Sequence, residues 1–313
     1  MINLKDVLSK EKISIVITDS GLGGISVCAG IEEKLRENNH FKEVNLIFFN
    51  ALPQKGAGYN SMPNLETKAE VFNKALFSMV ENYSPDLILI ACNTLSVVFP
   101  FTEFSKISKT PVLGIVDFGV QMILEELKKN QNQTVMILGT QTTISSQVHK
   151  NMLKNNFVKE DQIVTQAIPN LESEIQKSSD SIEVKRLIEA NLIDAINKSH
   201  NTNEPITAAL CCTHYGFCKN TFQSAFEKLT NREVTILNPN ELMINSITGE
   251  YNRNRFASAI IQIKVVSRAV IEDDEKNCVA KLVSEYAPQT AFALLNYKLN
   301  PNLFDFHAAR GFS

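Results

Sequence analysis

The stretch ISIVITDSGLGG, residues 13–24, decides the fold of this chain. Its first half is apolar and rich in β-branched residues, which is typical of a strand buried on both faces of a parallel sheet. Asp19 and Ser20 follow, and a glycine-rich turn then leads into a helical pattern. The stretch therefore predicts a strand–turn–helix unit. Its polar residues lie at the carboxyl end of the strand, where open α/β sheets bind ligands.

The same rhythm continues along the chain, and alternation of short apolar strands with helical patterns predicts an α/β fold with right-handed crossovers. Beyond about residue 255 the rhythm changes to one long strand at 258–271, followed by helices near 276–286 and 288–297. The other predicted strands are 13–19, 44–49, 87–91, 112–116, 134–139, 162–168, 206–211 and 234–238. The other predicted helices are 24–37, 65–83, 119–130, 142–155, 180–199, 215–229 and 239–251.

A weak internal repeat relates two parts of the chain. Ser20 ends one strand and Cys92 ends another 72 positions later, and Thr140 and Cys212 are also separated by 72 positions. Chance is the alternative interpretation, because the two parts share little identity. If the repeat is real, two pseudo-symmetric α/β lobes with mostly parallel sheets face each other, and each contributes one thiol to an active site in the cleft between them.

Length and composition bound the class of protein. The 313 residues are enough for two domains, predicted as residues 1–117 plus 233–313, with a C-terminal extension, and residues 118–232. A net charge of −3 argues against a nucleic-acid partner. The sequence has neither an apolar run of about 18 residues nor the apolar core of a signal peptide, so we expect a cytoplasmic protein without a membrane partner. Its six cysteines are then expected to be reduced.

Cys92 is the first candidate for chemistry. It follows the predicted strand 87–91 and precedes Asn93 and Thr94, which are residue types that cap helix N-termini. Because a thiol at a helix N-terminus lies near exposed amides and the positive end of the dipole, its pKa is expected to fall. The alternative is a buried, inert cysteine, which is a common fate for this residue.

Cys212 is the second candidate, since Thr213 and His214 follow it directly. The imidazole is near enough in sequence to exchange a proton with the thiol, although a lone histidine can also be a simple core or surface residue. Cys211 should point to the opposite side of its strand and serve the structure. Four possible metal ligands lie within eight residues: Cys211, Cys212, His214 and Cys218. They lack the paired spacing of zinc sites, so no metal is expected.

Two loops at strand ends complete the constellation. The glycines that follow Asp19 match neither a dinucleotide fingerprint nor a Walker motif. They could instead let backbone amides approach a ligand carboxylate, with Asp19 binding an ammonium group, acting beside a thiol, or merely capping the helix. The hydroxyls near Thr140 could hold a second anionic group, or could only cap their helix. Residues interpreted as packing or given no role are Cys28, Cys278, His40, His149, His200 and His307.

Four segments together resemble the glutamate racemase branch of the aspartate/glutamate racemase superfamily. They are residues 19–27 (DSGLGGISV), 91–94 (ACNT), 138–145 (LGTQTTIS) and 212–215 (CTHY), in the family's order. The resemblance implies two facing α/β lobes, two catalytic cysteines and no cofactor. It also implies that Asp19 assists Cys92 and that His214 assists Cys212. The residues that it places against the amino acid are Asp19, Ser20, Asn93, Thr94, Thr213 and His214.

The chain also departs from the family's pattern. Residues 50–60 (NALPQKGAGYN) stand where the family has Pro-Tyr-Gly, and Tyr59 would match its tyrosine only with an insertion. A glutamate near the second thiol has no clear counterpart, since Glu172, Glu174 and Gln176 are all candidates. The segment beyond about residue 255 is longer than the family needs.

These observations predict a cofactor-independent racemase that interconverts L- and D-glutamate by a two-cysteine, two-base mechanism and supplies D-glutamate for peptidoglycan. One alternative is a racemase or isomerase of aspartate or another acidic amino acid. Another is a relative that binds an acidic ligand without turnover, although such a protein would not need both thiols. The expected partner is a small acidic amino acid, and a homodimer is one candidate assembly.

Overall fold

The computed structural model describes residues 4–200, 203–249 and 254–306, and every strand pairing in these ranges is parallel. The first sheet has the strand order β10-β9-β2-β1-β3-β4, and the second has the order β6-β5-β7-β8. The strands are β1 (Lys12–Asp19), β2 (Glu43–Asn50), β3 (Leu87–Ile90), β4 (Val112–Gly114), β5 (Thr134–Gly139), β6 (Ile163–Ala167), β7 (Ile206–Cys211), β8 (Val234–Leu237), β9 (Ile260–Ser267) and β10 (Lys298–Leu299).

Helices cover both faces of each sheet and leave four apolar clusters against the strands. They are α1 (Leu4–Leu8), α2 (Ile25–Asn38), α3 (Leu65–Tyr83), α4 (Asn93–Val98), α5 (Phe104–Ile107), α6 (Ile115–Lys129), α7 (Gln141–Ser145), α8 (Val148–Asn155), α9 (Leu171–Lys177), α10 (Ile182–Asn197), α11 (Lys219–Leu229), α12 (Pro239–Thr248), α13 (Asp273–Val283) and α14 (Pro288–Leu295). No helix in the described residues is long and apolar enough to cross a membrane.

The internal repeat is visible in the strand order. The segment β2-β1-β3-β4 of the first sheet has the same connectivity as β6-β5-β7-β8 of the second. In each sheet the order reverses between the strand that ends in the polar turn and the strand that precedes the candidate thiol. Such switch points are where open α/β sheets bind ligands. The predicted fold of two similar lobes with parallel sheets is confirmed.

The segment beyond residue 255 enlarges the first sheet. β9 pairs with β2 over eight residues, from Glu43 opposite Ile260 to Asn50 opposite Ser267, and β10 then pairs with β9. The buried carboxylate of Glu32 on α2 accepts hydrogen bonds from two amides at the start of α14, at 3.2 and 2.7 Å. The extension is therefore an integral layer of this lobe, because it protects the edge of β2 that would otherwise be open.

Several boundaries differ from the predictions. The expected helix at 142–155 is two helices, because Gln147 takes a left-handed conformation with φ of 56°. The helix α9 was not predicted; it is short, and its pattern follows an Ile168-Pro169 pair. β8 pairs with β7 in the second sheet, whereas the proposed division assigned residues from 233 onward to the first lobe. The end of β8 is therefore a better boundary.

Candidate active site

One cavity of about 400 Å³ lies where the carboxyl ends of the central strands of both sheets meet. Turns after β1 and β3 line it from the first sheet, and turns after β5 and β7 line it from the second. Every candidate site residue drawn from the sequence lines this cavity: Asp19, Ser20, Cys92, Asn93, Thr94, Thr140, Cys212, Thr213 and His214. The fold thus brings together residues that are as far apart in sequence as Asp19 and His214.

The Cys92 thiol lies at the start of α4 with polar neighbours on two sides. Its Sγ is 3.2 Å from the hydroxyl of Ser20, and the amide of Leu95 donates to it at 3.5 Å. Cys92 itself is the N-cap, and Asn93 is the first helical residue. The expected lowering of the thiol pKa is wrong: burial, together with the negative charge of Asp19, raises the pKa of Cys92 to about 12. Desolvation outweighs the amides of this short helix.

The Cys212 thiol has an imidazole as its neighbour. Its Sγ is 3.8 Å from Nδ1 of His214, while Nε2 of the same ring is 3.0 Å from Oε1 of Gln176. That oxygen also accepts the amide of Leu22 at 3.0 Å, so His214 must donate from Nε2 and keep a free electron pair on Nδ1. Burial lowers the pKa of His214, and a neutral ring with a basic nitrogen therefore faces Cys212.

Burial also keeps Cys212 protonated at rest. It raises the pKa of this thiol well above the usual value, and the negative charges of Glu172 and Asp19 act in the same direction. Both candidate thiols are only 5% exposed, and both face the cavity. The sequence did not predict this resting state, since it follows from side chains that come from both sheets.

Asp19 joins the two lobes at the floor of the cavity. Its carboxylate accepts the hydroxyl of Thr213 at 2.6 Å and the amide of Gly21 at 3.1 Å. It does not cap α2, whose N-cap is Gly24. The amides of Gly21 and Leu22 are thus already bonded to protein oxygens, which argues against the idea that these amides bind a ligand carboxylate.

The glycine turn has a steric purpose instead. A Cβ on Gly23 would lie 2.5 Å from Nδ1 of His214 and 2.6 Å from Oγ1 of Thr213. These distances are too short for contacts between non-bonded atoms, so only glycine lets the two lobes meet here. The turn after β1 therefore sets the position of His214.

Hydroxyl and amide groups face the cavity from the opposite side. Thr94 and Thr140 bring their hydroxyls within 2.9 Å of each other across the two lobes, and Thr140 caps α7 through the amide of Thr143. Both polar atoms of the buried Asn93 amide lack a hydrogen-bond partner among the described residues. A buried amide without partners is costly unless a ligand or water completes its hydrogen bonds, and this one lines the cavity.

Three further lining residues had no definite role in the sequence analysis. Glu172, one of three candidates for a second-lobe carboxylate, lines the cavity, and Asn60 donates to it at 3.3 Å; burial raises the pKa of Glu172. Glu174 instead forms an ion pair with Lys177 away from the cavity. Tyr59 also lines the cavity, and its hydroxyl, like Oε2 of Glu172, has no hydrogen-bond partner in the described part of the chain. Tyr59 of the divergent loop and Glu172 both gave a sequence signal, whereas Asn60 gave none.

The remaining cysteines and histidines lie elsewhere. Cys211 packs between its sheet and α6 as predicted, and Cys28 is buried against α14, where Thr290 donates to it at 3.8 Å. Nε2 of His40 lies 3.1 Å from the carbonyl oxygen of Leu8. His307 lies outside the described residues. Within the described ranges, no three His, Cys, Asp or Glu side chains are grouped as metal ligands.

The chain is similar to known racemases in sequence. A family model described as Asp/Glu/Hydantoin racemase matches residues 23–245. A glutamate racemase of Aquifex aeolicus (strain VF5) is 26% identical over 216 residues, which cover 69% of this chain and 76% of the relative. A glutamate racemase of Buchnera aphidicola subsp. Schizaphis graminum (strain Sg) is 24% identical over 257 residues, which cover 79% of this chain and 88% of the relative.

Solved structures show the same fold. The glutamate racemase of Campylobacter jejuni subsp. jejuni superposes with a TM-score of 0.64 at 19% identity, covering 87% of this chain and 98% of that one. The glutamate racemase of Francisella tularensis subsp. tularensis SCHU S4, solved in complex with D-glutamate, also has a TM-score of 0.64, at 14% identity, with 94% and 96% covered. The resemblance drawn from the four sequence segments is confirmed.

Proposed function

The chain belongs to the Asp/Glu/Hydantoin racemase family and is an isomerase, and from this premise we propose that it interconverts L- and D-glutamate with Cys92 and Cys212 as two bases. The observation that carries the proposal is the placement of one thiol from each sheet in a single cavity of about 400 Å³. A binding protein would need no second thiol there, whereas inversion at Cα needs a proton acceptor and a proton donor on different faces.

In the proposed reaction one cysteine, as thiolate, takes the proton from Cα. The C–H bond breaks, its electron pair remains on Cα and is shared with the carboxylate, and the other cysteine then gives its S–H proton to the opposite face. The thiol and thiolate have exchanged roles, and the reverse direction restores them. Proton transfer by a positioned group accelerates the reaction roughly 10²–10⁴-fold. Orientation of the substrate and fixed dipoles in the cavity supply the remaining rate acceleration.

The thiolate must be generated against the raised pKa of both thiols. On the Cys212 side, Nδ1 of His214 is the acceptor, since Gln176 holds the opposite nitrogen as a donor. On the Cys92 side we assign the Asp19 carboxylate, because it lines the same cavity and its charge acts on this thiol. A substrate ammonium group near Asp19 and Glu172 would offset their negative charge and lower both thiol pKa values in the complex.

Substrate binding is assigned by chemical complementarity. Hydroxyls of Ser20, Thr94 and Thr140, with the unpartnered amide of Asn93, are donors suited to the α-carboxylate. Carboxylates of Asp19 and Glu172 suit the ammonium group. Thr213 keeps Asp19 in place through its hydroxyl at 2.6 Å. No step requires a cofactor. We also propose that the protein acts in the cytoplasm and that its D-glutamate is used in peptidoglycan synthesis. A homodimer is the proposed candidate assembly.

Aspartate is the second candidate substrate, because the loop that stands in place of the family's Pro-Tyr-Gly segment lies at the cavity. Gly58, Tyr59 and Asn60 of this loop all line it. A loop of changed length at this wall alters the space available for the substrate side chain. The size of that space decides whether the site prefers aspartate, with four carbons, or glutamate, with five.

The test is incorporation of deuterium at Cα of L-glutamate and L-aspartate in heavy water, followed by NMR, with circular dichroism to detect inversion. We expect exchange and inversion of glutamate. Preferential exchange of aspartate would replace the substrate but keep the mechanism. Binding of both acids without deuterium at Cα would overturn the racemase proposal.

A further inference from the structure

The mouth of the cavity carries charged residues that the proposed chemistry does not use. Lys55 reaches it from the loop after β2, and Glu275 reaches it from α13 of the extension. Among the described residues that line the cavity, Lys55 is the only lysine or arginine, while Asp19, Glu172 and Glu275 all contribute carboxyl groups. An acidic amino acid carries two carboxylates and one ammonium, and a cation at the mouth would form a charge-assisted hydrogen bond with the second carboxylate.

Lys55 is already engaged with a carboxylate of the kind that it would meet in a substrate. Its ammonium forms an ion pair with Glu272, which lies just before α13, and both side chains are largely exposed, at 67% and 42%. This pairing, with the nearby charges of Glu275 and Asp274, raises the pKa of Lys55 and keeps it protonated. Ion pairs this exposed are weak, so one carboxylate can readily replace another.

The loop is held at its base and open at its tip. Arg268 donates hydrogen bonds to the carbonyl oxygens of Pro53 and Phe304, and its guanidinium lies 5.7 Å from the centre of the Phe304 ring. Gly56, next to Lys55, has φ of 78°, and a Cβ there would meet no atom within 4 Å. The Lys55 side chain is itself 67% exposed and lines the cavity, so it can turn inward without displacement of the anchored part of the loop.

We propose that Lys55 binds the side-chain carboxylate of the substrate and that Glu272 competes with the substrate for it. The inference rests on the proposed function and deepens it, since it names the residue that recognises the second carboxylate of the substrate. It also gives the C-terminal extension a role at the active site. Glu272 holds the lysine at the mouth and yields it when the substrate arrives.

The experiment measures Cα deuterium exchange over a range of concentrations for glutamate and for aspartate, with the full-length chain and two variants. In Lys55→Met we expect KM for the preferred acid to rise roughly ten-fold or more, as for the loss of a hydrogen bond to a charged group, with kcat changed less than about three-fold. In Glu272→Gln we expect KM to fall by about two- to five-fold, because an exposed competitor is removed.

Controls separate this inference from a structural role and from the proposed function. Lys12→Met removes an exposed ion pair of the same kind, with Glu43 at 2.6 Å, at the far end of β1, and should leave KM unchanged. Lys55→Arg should keep most of the affinity. A rise of KM in both Lys55→Met and Glu272→Gln would show that the ion pair merely holds the loop, and it would overturn the inference. An unchanged KM in both variants would also overturn it. If the unaltered protein exchanges neither acid, the proposed function itself fails.

Discussion

Cys92 and Cys212 occupy equivalent places after β3 and β7, yet their polar neighbours differ. A hydroxyl and an amide contact Cys92, whereas an imidazole with a free electron pair faces Cys212. The two proposed bases would therefore lose their protons by different routes, Cys92 with the help of a carboxylate and Cys212 with the help of a ring nitrogen. Both routes must overcome the same desolvation, which favours the neutral thiol.

Each thiol should be indispensable. We expect Cys92→Ser and Cys212→Ser each to reduce glutamate racemisation by at least about 10³-fold in both directions, because proton removal and proton return need different groups. Circular dichroism measured from L- and from D-glutamate checks this. Cys278→Ser is the matched control, since that thiol lies on α13 and donates to the carbonyl of Ile175 at 3.7 Å. Normal turnover by either single variant at the two sites would rule out a two-base scheme.

The raised thiol pKa values predict how the resting enzyme reacts with iodoacetamide. A thiol with its pKa near 12, as for Cys92, has a thiolate fraction that grows about ten-fold per pH unit between pH 7 and pH 9. The alkylation rate at Cys92 and at Cys212 should follow this slope without a plateau near pH 8.5. Peptide mass spectrometry at each cysteine measures it, and a plateau at or below pH 8.5 would contradict the burial argument.

Among the elements, the turn between β1 and α2 has the tightest requirement. It carries Asp19, allows Thr213 and His214 of the other lobe to approach, and presents the Leu22 amide to Gln176. Its glycines are thus placed for contact between lobes and not for binding a phosphate or a dinucleotide. The turn and the strand order together explain why the site is assembled at the switch points of both sheets.

Gly23→Ala should impair catalysis strongly. The added Cβ would lie 2.5 Å from Nδ1 and 2.7 Å from the backbone nitrogen of His214, so this residue must shift by about an ångström, and such misplacement costs on the order of 10²-fold in rate. Gly58→Ala is the matched control in another wall of the cavity, since its Cβ would meet only Leu52, at 3.8 Å. We expect kcat/KM of this control to change less than about three-fold. Equal effects of the two substitutions would argue against a steric role for Gly23.

For the molecule as a whole, the junction of the two lobes contains a buried histidine outside the active site. His149 on α8 lies near Gly119 of α6 and Pro239 of α12, and neither ring nitrogen has a hydrogen-bond partner among the described residues. Burial lowers the pKa of His149 to about 4. The ring is therefore neutral in the folded protein at pH values where it begins to ionise in the unfolded chain.

This depressed pKa predicts acid sensitivity of the fold. The unfolded state binds the proton more tightly, so the contribution of His149 to stability is present above about pH 6.5 and is lost as the pH falls toward 4. Between pH 7 and pH 5 the free energy of unfolding should fall by about 2 kcal/mol through this residue. Urea unfolding at both pH values measures this fall. In His149→Leu the fall in the free energy of unfolding should be smaller than in the unaltered protein by about 2 kcal/mol. His200→Leu, at an exposed position, should behave like the unaltered protein, and an identical fall in His149→Leu would refute the assignment.

Much of this molecule could be predicted from local sequence pattern. Runs of β-branched residues and helical periodicity identify most strands and helices, and the 72-residue spacing indicates two related lobes with Cys92 and Cys212 at strand ends. These features depend on backbone geometry and on side-chain alternation along one segment, so the linear sequence carries them. The short α9 and the break at Gln147 were missed because both depend on single turns and not on a period.

The tertiary structure alone decided what surrounds the thiols. Insertion of β9 beside β2, the contact of Gln176 with His214, and the pairing of Lys55 with Glu272 join residues more than 35 positions apart. The thiol pKa of Cys92 even moved opposite to the sequence expectation, because the position at a helix start is local whereas desolvation is collective. Burial and charge proximity are properties of the packed chain, and so the sequence by itself determined which residues reach the cleft, while packing determined their protonation and their partners.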